Sequence, residues 1–289
     1  MFWLAHPMGD IVEKTQRVVA TDVEGIDMTF HQYCTKREKG GENMGQRHFI
    51  ITGTSKGIGK QLAELLLEKG DYVYGIARGT SELEDAYERY QHVQFDLADI
   101  HSINDLVSSL LEHIPLQEVE FIGLINNAAM LEPLKPIDQC IAEEISLNLN
   151  ISLAAPMILT SSFIQYTNHL TTRRKIVNVS SGSGSYPAPS MASYCTSKAG
   201  INMFTQCVAM EQSGQPNPVE VIAFDPGMVD TELQAVARGK SAEEFALSEV
   251  FGQVYEAGQL RSPQDVARQL IERIEEISDP SKVLHTMEG

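Results

Sequence analysis

The sequence predicts an α/β fold, one domain built on a doubly wound parallel sheet. Short apolar runs rich in β-branched residues alternate with amphipathic stretches over most of the chain, as in successive βαβ units. A glycine-rich turn joins the first of these runs to a helical pattern. Of the 289 residues, 43% are hydrophobic, enough to bury a sheet on both faces.

The elements follow in order. Strands are predicted near 48–53, 72–77, 92–96, 119–126, 175–180 and 219–224, with helical patterns between them. Right-handed crossovers then bring the carboxyl ends of the strands to one edge, where such sheets bind ligands. After Arg47-His-Phe-Ile-Ile the chain reads Thr52-Gly-Thr-Ser-Lys-Gly-Ile-Gly59 and opens an apolar-periodic helix at Leu62, Leu65 and Leu66. Glycines there permit a tight turn and close approach of a pyrophosphate, which free N–H groups and the helix dipole can hold. A short last strand, Lys282-Val-Leu-His-Thr, completes the sheet. Residues 230–262 interrupt the alternation with an acidic, mixed helical stretch.

Tyr194 and Lys198 stand one helical turn apart in Tyr-Cys-Thr-Ser-Lys, and Ser181 ends the apolar run that begins at Lys175. A phenol with a reference pKa near 10 exchanges protons slowly at neutral pH unless a nearby cation favours its ionised form. Lys198 on the same helix face supplies that cation, so Tyr194 becomes a candidate general acid or base. Ser181 can aim a hydroxyl at the same oxygen, where charge develops during reduction.

The spacing Gly53-x-x-x-Gly57-x-Gly59 departs from the general Gly-x-Gly-x-x-Gly fingerprint. Together with Asp96, Asn126-Asn-Ala-Ala129, Ser181, Tyr194, Lys198 and Pro226-Gly227 in that order, it resembles the short-chain dehydrogenase/reductase family from residue 45 to about 287. Leu124-Ile-Asn-Asn-Ala, Ala155-Pro-Met-Ile-Leu-Thr-Ser and Tyr194-Cys-Thr-Ser-Lys-Ala-Gly are similar to its bacillus-type benzil reductase branch, and more distantly to sepiapterin reductases. The resemblance implies a Rossmann-type fold and NADPH-dependent reduction of one carbonyl of a hydrophobic ketone or 1,2-diketone. It further implies a mobile lid over 230–262 and a homodimer formed through helices near 138–166 and 192–213.

Carried over residue by residue, the resemblance implies a catalytic set of Ser181, Tyr194, Lys198 and, at the position of the family's asparagine, Ser152. Cofactor contacts are expected at Gly53, Ser55, Lys56, Gly57, Ile58, Gly59, Arg78, Asp96, Leu97, Asn126, Ala128, Tyr194, Lys198, Pro226, Gly227, Val229 and Thr231. The second strand ends in Gly75-Ile-Ala-Arg78 without the acidic residue that binds a ribose 2′-hydroxyl. Arg78 and Lys56 can instead pair with a 2′-phosphate, which selects NADPH. The substrate wall is expected at Met130, Ser183, Tyr186 and Met228, joined by Leu131, Met191 and Leu233.

Three departures bear on these expectations. Ser152 replaces asparagine; Asn148 and Asn150 lie near, but two residues' shift turns a side chain to another helix face. Ala129 stands where glycine usually ends the motif and is tolerated if its φ is negative. The stretch 183–191 lacks the tryptophan of the benzil-reducing relatives. Ser152 also motivates an alternative function, a catalytically weakened nucleotide-binding regulator of the same fold.

A net charge of −17 argues against nucleic-acid binding. No stretch of 18 apolar residues suggests a membrane span. Cysteines 34, 140, 195 and 207 show neither metal nor disulfide spacing, which points to reduced thiols in a cytoplasm and to no resident metal. Residues 1–43 carry seven acidic and five basic residues and no secretory apolar core. We expect translation to begin at Met44, with 1–43 a start-site artefact; the rival expectation is a flexible arm packing on a partner. The domain is expected to cover 44–289.

Overall fold

The computed structural model describes residues 45–287; the 1–43 extension, its rival readings and Cys34 lie outside them. Strands β1 (Gln46–Thr52), β2 (Tyr72–Ala77), β3 (Tyr90–Gln94), β4 (Val119–Asn126), β5 (Arg173–Val179), β6 (Glu220–Asp225) and β7 (Leu284–Thr286) form one parallel sheet of seven strands, in the order β3-β2-β1-β4-β5-β6-β7. The chain steps outward from β1 to β3, then returns to lay β4 on the other side of β1. That reversal opens a crevice at the carboxyl ends of the strands. The third strand lies about two residues earlier than predicted, because the Asp96 carboxylate accepts the Ala98 N–H at 3.0 Å and turns the chain.

Successive strand residues point to opposite faces, and both faces are buried. On one, Phe49, Ile51, Val177 and Phe224 pack with Leu62 and Leu66 of helix α1 (Gly57–Glu68) and with Val266 and Leu270 of helix α9 (Pro263–Glu275). On the other, Ile50, Ile122 and Ile176 pack with Val107 and Leu110 of helix α3 (Ile103–Glu112) and Leu159 and Phe163 of helix α5 (Ala155–Thr167). A four-residue helix α2 (Leu83–Ala86) leads into β3. The Ser262 hydroxyl accepts the Asp265 N–H at 3.0 Å and Pro263 follows, so α9 starts with a side-chain cap worth about 1 kcal/mol.

Helix α4 (Ala142–Leu149) runs through a π-turn, Asn150–Ala154, into α5. The continuous stretch Ala142–Thr167 is, by length and composition, apolar enough to cross a membrane, against the expectation from sequence. Its apolar residues instead pack on the sheet: Ala155, Leu159 and Phe163 belong to the core. Helix α6 (Ala192–Ser213) lies alongside.

The segment between β6 and α9 carries helices α7 (Glu232–Arg238) and α8 (Ser248–Glu256). Its two ends are clasped: the Arg261 N–H donates to Met228 O and the Asp230 N–H to Arg261 O, each at 2.9 Å.

Candidate active site

Ser181, Tyr194 and Lys198 converge at the carboxyl end of the central sheet. Ser181 follows β5, whose course is continued where the Ser180 N–H donates to Phe224 O at 2.8 Å. Tyr194 and Lys198 project from the first two turns of α6. The Ser181 hydroxyl accepts the Ser183 N–H at 3.2 Å and sits near enough to the Tyr194 phenol to favour its ionised form. Lys198 Nζ donates to Val179 O at 2.8 Å and lies 5.7 Å from the centre of the Tyr194 ring. Phenol, hydroxyl and ammonium therefore share one small volume.

That volume is dry. Burial pushes the Tyr194 phenol up to about 12, with the Ser181 hydroxyl pulling against it and the Asp225 carboxylate adding to the rise. Burial brings the Lys198 ammonium down to about 8, and Asp225 opposes that. At neutral pH the site holds a neutral phenol, a proton donor, beside a lysine that is still mostly charged. Asp225 itself is held by accepting the Gly227 N–H at 2.9 Å, which shapes the Pro226-Gly227 turn, where Gly227 adopts a φ of 67°.

The apolar wall differs from the expected one. Tyr194 joins Leu131, Leu134, Met191, Ala237 and Phe245 in one buried cluster, with Leu233, Leu247 and Phe251 packed against it. Phe245 and Phe251 meet edge to face with ring centres 5.6 Å apart. Leu131, Met191 and Leu233, three of the expected wall residues, belong to this cluster or pack against it. Tyr186 is 76% and Met228 39% exposed, and neither belongs to this cluster; both are turned to solvent by the loops that carry them. Leu134, Phe245 and Phe251 were missed: the first two are loop residues without periodicity and the third lies on the short helix α8, and neither setting signals what a side chain packs on. Met130 and Ser183 are half-buried.

Ser152 is buried, and its hydroxyl both accepts the Met130 N–H at 2.9 Å and donates to Met130 O at 3.4 Å. Asn148, wholly buried, donates to Met130 O at 2.7 Å and Glu132 O at 2.6 Å. The two side chains, four residues apart across the π-turn, hold the same strand end from one helix face. Asn150 makes none of these bonds, so the asparagine that matters beside Ser152 is Asn148. Ser152 also lines a small internal pocket together with Lys198, Asn126, Ala128 and Asn178.

The glycine turn is an open cradle. Gly53 and Gly57 adopt φ of 77° and 59°, and a Cβ at Gly59 would collide with Gly53 O and lie 2.5 Å from Asn127 Nδ2. Ser55 and Lys56 are exposed on this turn, while Ile58 packs against the core. Lys56 is not free: its ammonium pairs with Glu232 of α7. Arg78, at the end of β2, is exposed and carries no ion pair among the described residues. Thr231 begins α7 with its Cγ2 3.4 Å from the position a Cβ would take on Gly57.

Other expected cofactor residues turn inward. The Leu97 and Val229 side chains are core, each 6% exposed, which leaves their backbones for any ligand. The Asn126 amide donates to Asn178 Oδ1 at 2.8 Å and reaches Thr160, tying β4 to β5 and α5. Asp96 is exposed, Pro226 buried and Ala128 half-buried at the strand ends. Among the described residues only Ser190 combines a side chain with positive φ, so Ala129 sits in ordinary backbone, and its methyl group is accommodated.

A parallel sheet with a glycine cradle after β1 and a Ser-Tyr-Lys cluster at the same edge defines an oxidoreductase of the nicotinamide-dependent class. The chain belongs to the short chain dehydrogenase family, whose model matches residues 47–242. It is 40% identical over 227 residues to a benzil reductase ((S)-benzoin forming) of Bacillus cereus, covering 77% of this chain and 91% of that protein. A benzil reductase ((S)-benzoin forming) of Bacillus subtilis (strain 168) is 33% identical over 235 residues, covering 81% and 96%. Among solved structures, a short chain dehydrogenase/reductase from Saccharomyces cerevisiae superposes with a TM-score of 0.70 at 24% identity, over 84% of this chain and 95% of that one.

Proposed function

We propose that this chain is an NADPH-dependent reductase that converts one carbonyl of a hydrophobic ketone or 1,2-diketone, benzil-like, to an alcohol. The observation that carries the reading is the Tyr194 phenol set inside an apolar cluster, with Lys198 Nζ 5.7 Å from its ring centre on the same helix and Ser181 at the adjoining strand end. The cofactor supplies the hydride when bound. Ser181 and Tyr194 hydrogen-bond the substrate oxygen, and Tyr194 delivers the proton to it. Lys198, with Nζ 5.7 Å from the Tyr194 ring centre, would favour the phenolate left behind and hold the nicotinamide ribose. Ser152 and Asn148 hold the Met130 strand end against the pocket behind Lys198, a positioning role.

Gly53, Ser55, Lys56, Gly57 and Gly59 suit a pyrophosphate, because their turn leaves backbone space that side chains would fill. Asp96 with the Leu97 backbone would flank the adenine; Asn126 and Ala128 line the strand end below the nucleotide, and the Val229 backbone with Thr231 would meet the carboxamide. Arg78 supports the choice of NADPH over NADH, as an exposed guanidinium just past β2 with no ion pair among the described residues. Replacing Arg78 with Ala is expected to cut the NADPH-over-NADH ratio of kcat/KM by about 10- to 100-fold, the worth of one or two charge-assisted hydrogen bonds. An unchanged ratio would leave the preference without its residue.

The reaction itself is tested by following NADPH oxidation with benzil and a phenyl-substituted dione beside simple aldehydes. Rapid turnover of the aryl diones supports the proposal, and binding of NADPH without turnover of any carbonyl favours the regulatory alternative. A homodimer is the expected assembly, supported by exposed Met203, Cys207 and Met210 along one face of α6 beside exposed Leu147 and Met157. A cytoplasmic location fits the free thiols of Cys140, Cys195 and Cys207.

A further inference from the structure

One ion pair ties the glycine turn to the capping segment. Lys56, the residue before Gly57, pairs with Glu232 in the first turn of α7, and Thr231 beside it packs over Gly57. Both partners are well exposed, at 61% and 62% of their side chains, so either can exchange partners without leaving water. A groove of about 560 Å³ runs next to the pair, lined by Gly57, Lys60, Thr231, Glu232, Ser262 and Gln264. The neighbouring charges are already committed: Lys60 pairs with Glu82 at 3.0 Å and Asp230 with Arg238 at 3.0 Å. Glu232 is thus the carboxylate facing the cation that a phosphate would need.

We propose that Glu232 is a specificity-determining counter-anion, which the cofactor's 2′-phosphate displaces from Lys56. The inference rests on the NADPH reading above. Before binding, the carboxylate occupies the ammonium and repels an incoming dianion. Once the phosphate takes Lys56, α7 loses its tie to the glycine turn. The capping segment is clasped at its base through Met228, Asp230 and Arg261, so it is then held over the site by its apolar contacts with Tyr194, Leu131 and Met191. Cofactor phosphate and the freedom of the segment are coupled through one lysine.

The test measures binding of adenosine 2′,5′-bisphosphate and adenosine 5′-monophosphate by titration calorimetry, and KM for NADPH and NADH alongside. Glu232→Gln is expected to tighten the bisphosphate and lower the NADPH KM by about three- to fivefold at low ionic strength, with the monophosphate and NADH changing less than about twofold. The gain should fade toward about 0.5 M salt, be absent in Glu232→Asp, which keeps the carboxylate, and vanish in a Lys56→Gln background. Equal tightening of both nucleotides, no tightening, or a gain that survives loss of Lys56 would overturn the inference. A wild-type preference for NADH would instead overturn the NADPH reading, and selective tightening of the bisphosphate would still uphold the role of Glu232.

Discussion

Replacing Tyr194 with Phe is expected to lower kcat for aryl dione reduction by about 10²- to 10⁴-fold, the usual worth of a positioned general acid. NADPH affinity, read by fluorescence titration, should change little, because the ring stays in its apolar cluster with Leu131, Met191 and Phe245 and only the hydroxyl is lost. Burial raises the phenol to about 12, so Tyr194 stays protonated across the neutral range. The sign for catalysis follows. Reduction consumes the protonated form and should be nearly flat below about pH 7, where Lys198 also keeps its charge, and fall as that ammonium titrates near 8, whereas oxidation of the alcohol needs phenolate and should rise with pH. Near-wild-type turnover in the Phe variant, or an oxidation rate that does not climb with pH, would remove Tyr194 from the acid's role.

Lys198→Met is expected to cost about 10²-fold or more in kcat and yet leave the cofactor-free protein no less stable at pH 7. The lysine is 3% exposed, and burial brings its ammonium down to about 8 from 10.5. Holding that charge below pH 8 therefore opposes folding by roughly 3 kcal/mol. Losing the bond to Val179 O offsets about 1–3 kcal/mol of this, so the net change lies between zero and about 2 kcal/mol in favour of the variant. In the wild type the unfolded chain binds more protons at this residue between pH 8 and 10.5, so this penalty is relieved as pH rises through that window. The difference between the two proteins should shrink accordingly in thermal melts at pH 7, 9 and 10. A variant that melts well below the wild type at pH 7 would show that Lys198 supports the fold more than its burial opposes it.

Much of the site was legible because its signals are local. Tyr194 and Lys198 share a helix face by their four-residue spacing, and Ser181 ends a strand that its β-branched residues announce. Gly53, Gly57 and Gly59 mark a turn whose backbone excludes side chains. Counting back from Ala155-Pro156 pointed to Ser152, which the structure buries against Met130, but the π-turn at 150–154 lies below the resolution of a periodicity argument. That turn leaves Asn148 and Ser152 on one strand end and Asn150 apart from it. Tyr186 and Met228 were read as wall residues from their place near the motifs; each is exposed, because proximity along a loop does not set direction.

The sequence by itself determined the parallel α/β architecture, the places of its strands along the chain, and the positions of the candidate trio. Those follow from side-chain periods of two and 3.6 residues and from backbone positions that only glycine fills. The tertiary structure decided what surrounds the trio: Phe245 joining Tyr194 in one buried cluster with Phe251 packed against it, Glu232 occupying Lys56, and Asp225 raising the Tyr194 phenol and the Lys198 ammonium together. These contacts join residues far apart in the chain, and the burial that moves a phenol to about 12 and an ammonium to about 8 exists only when such segments have closed on one another.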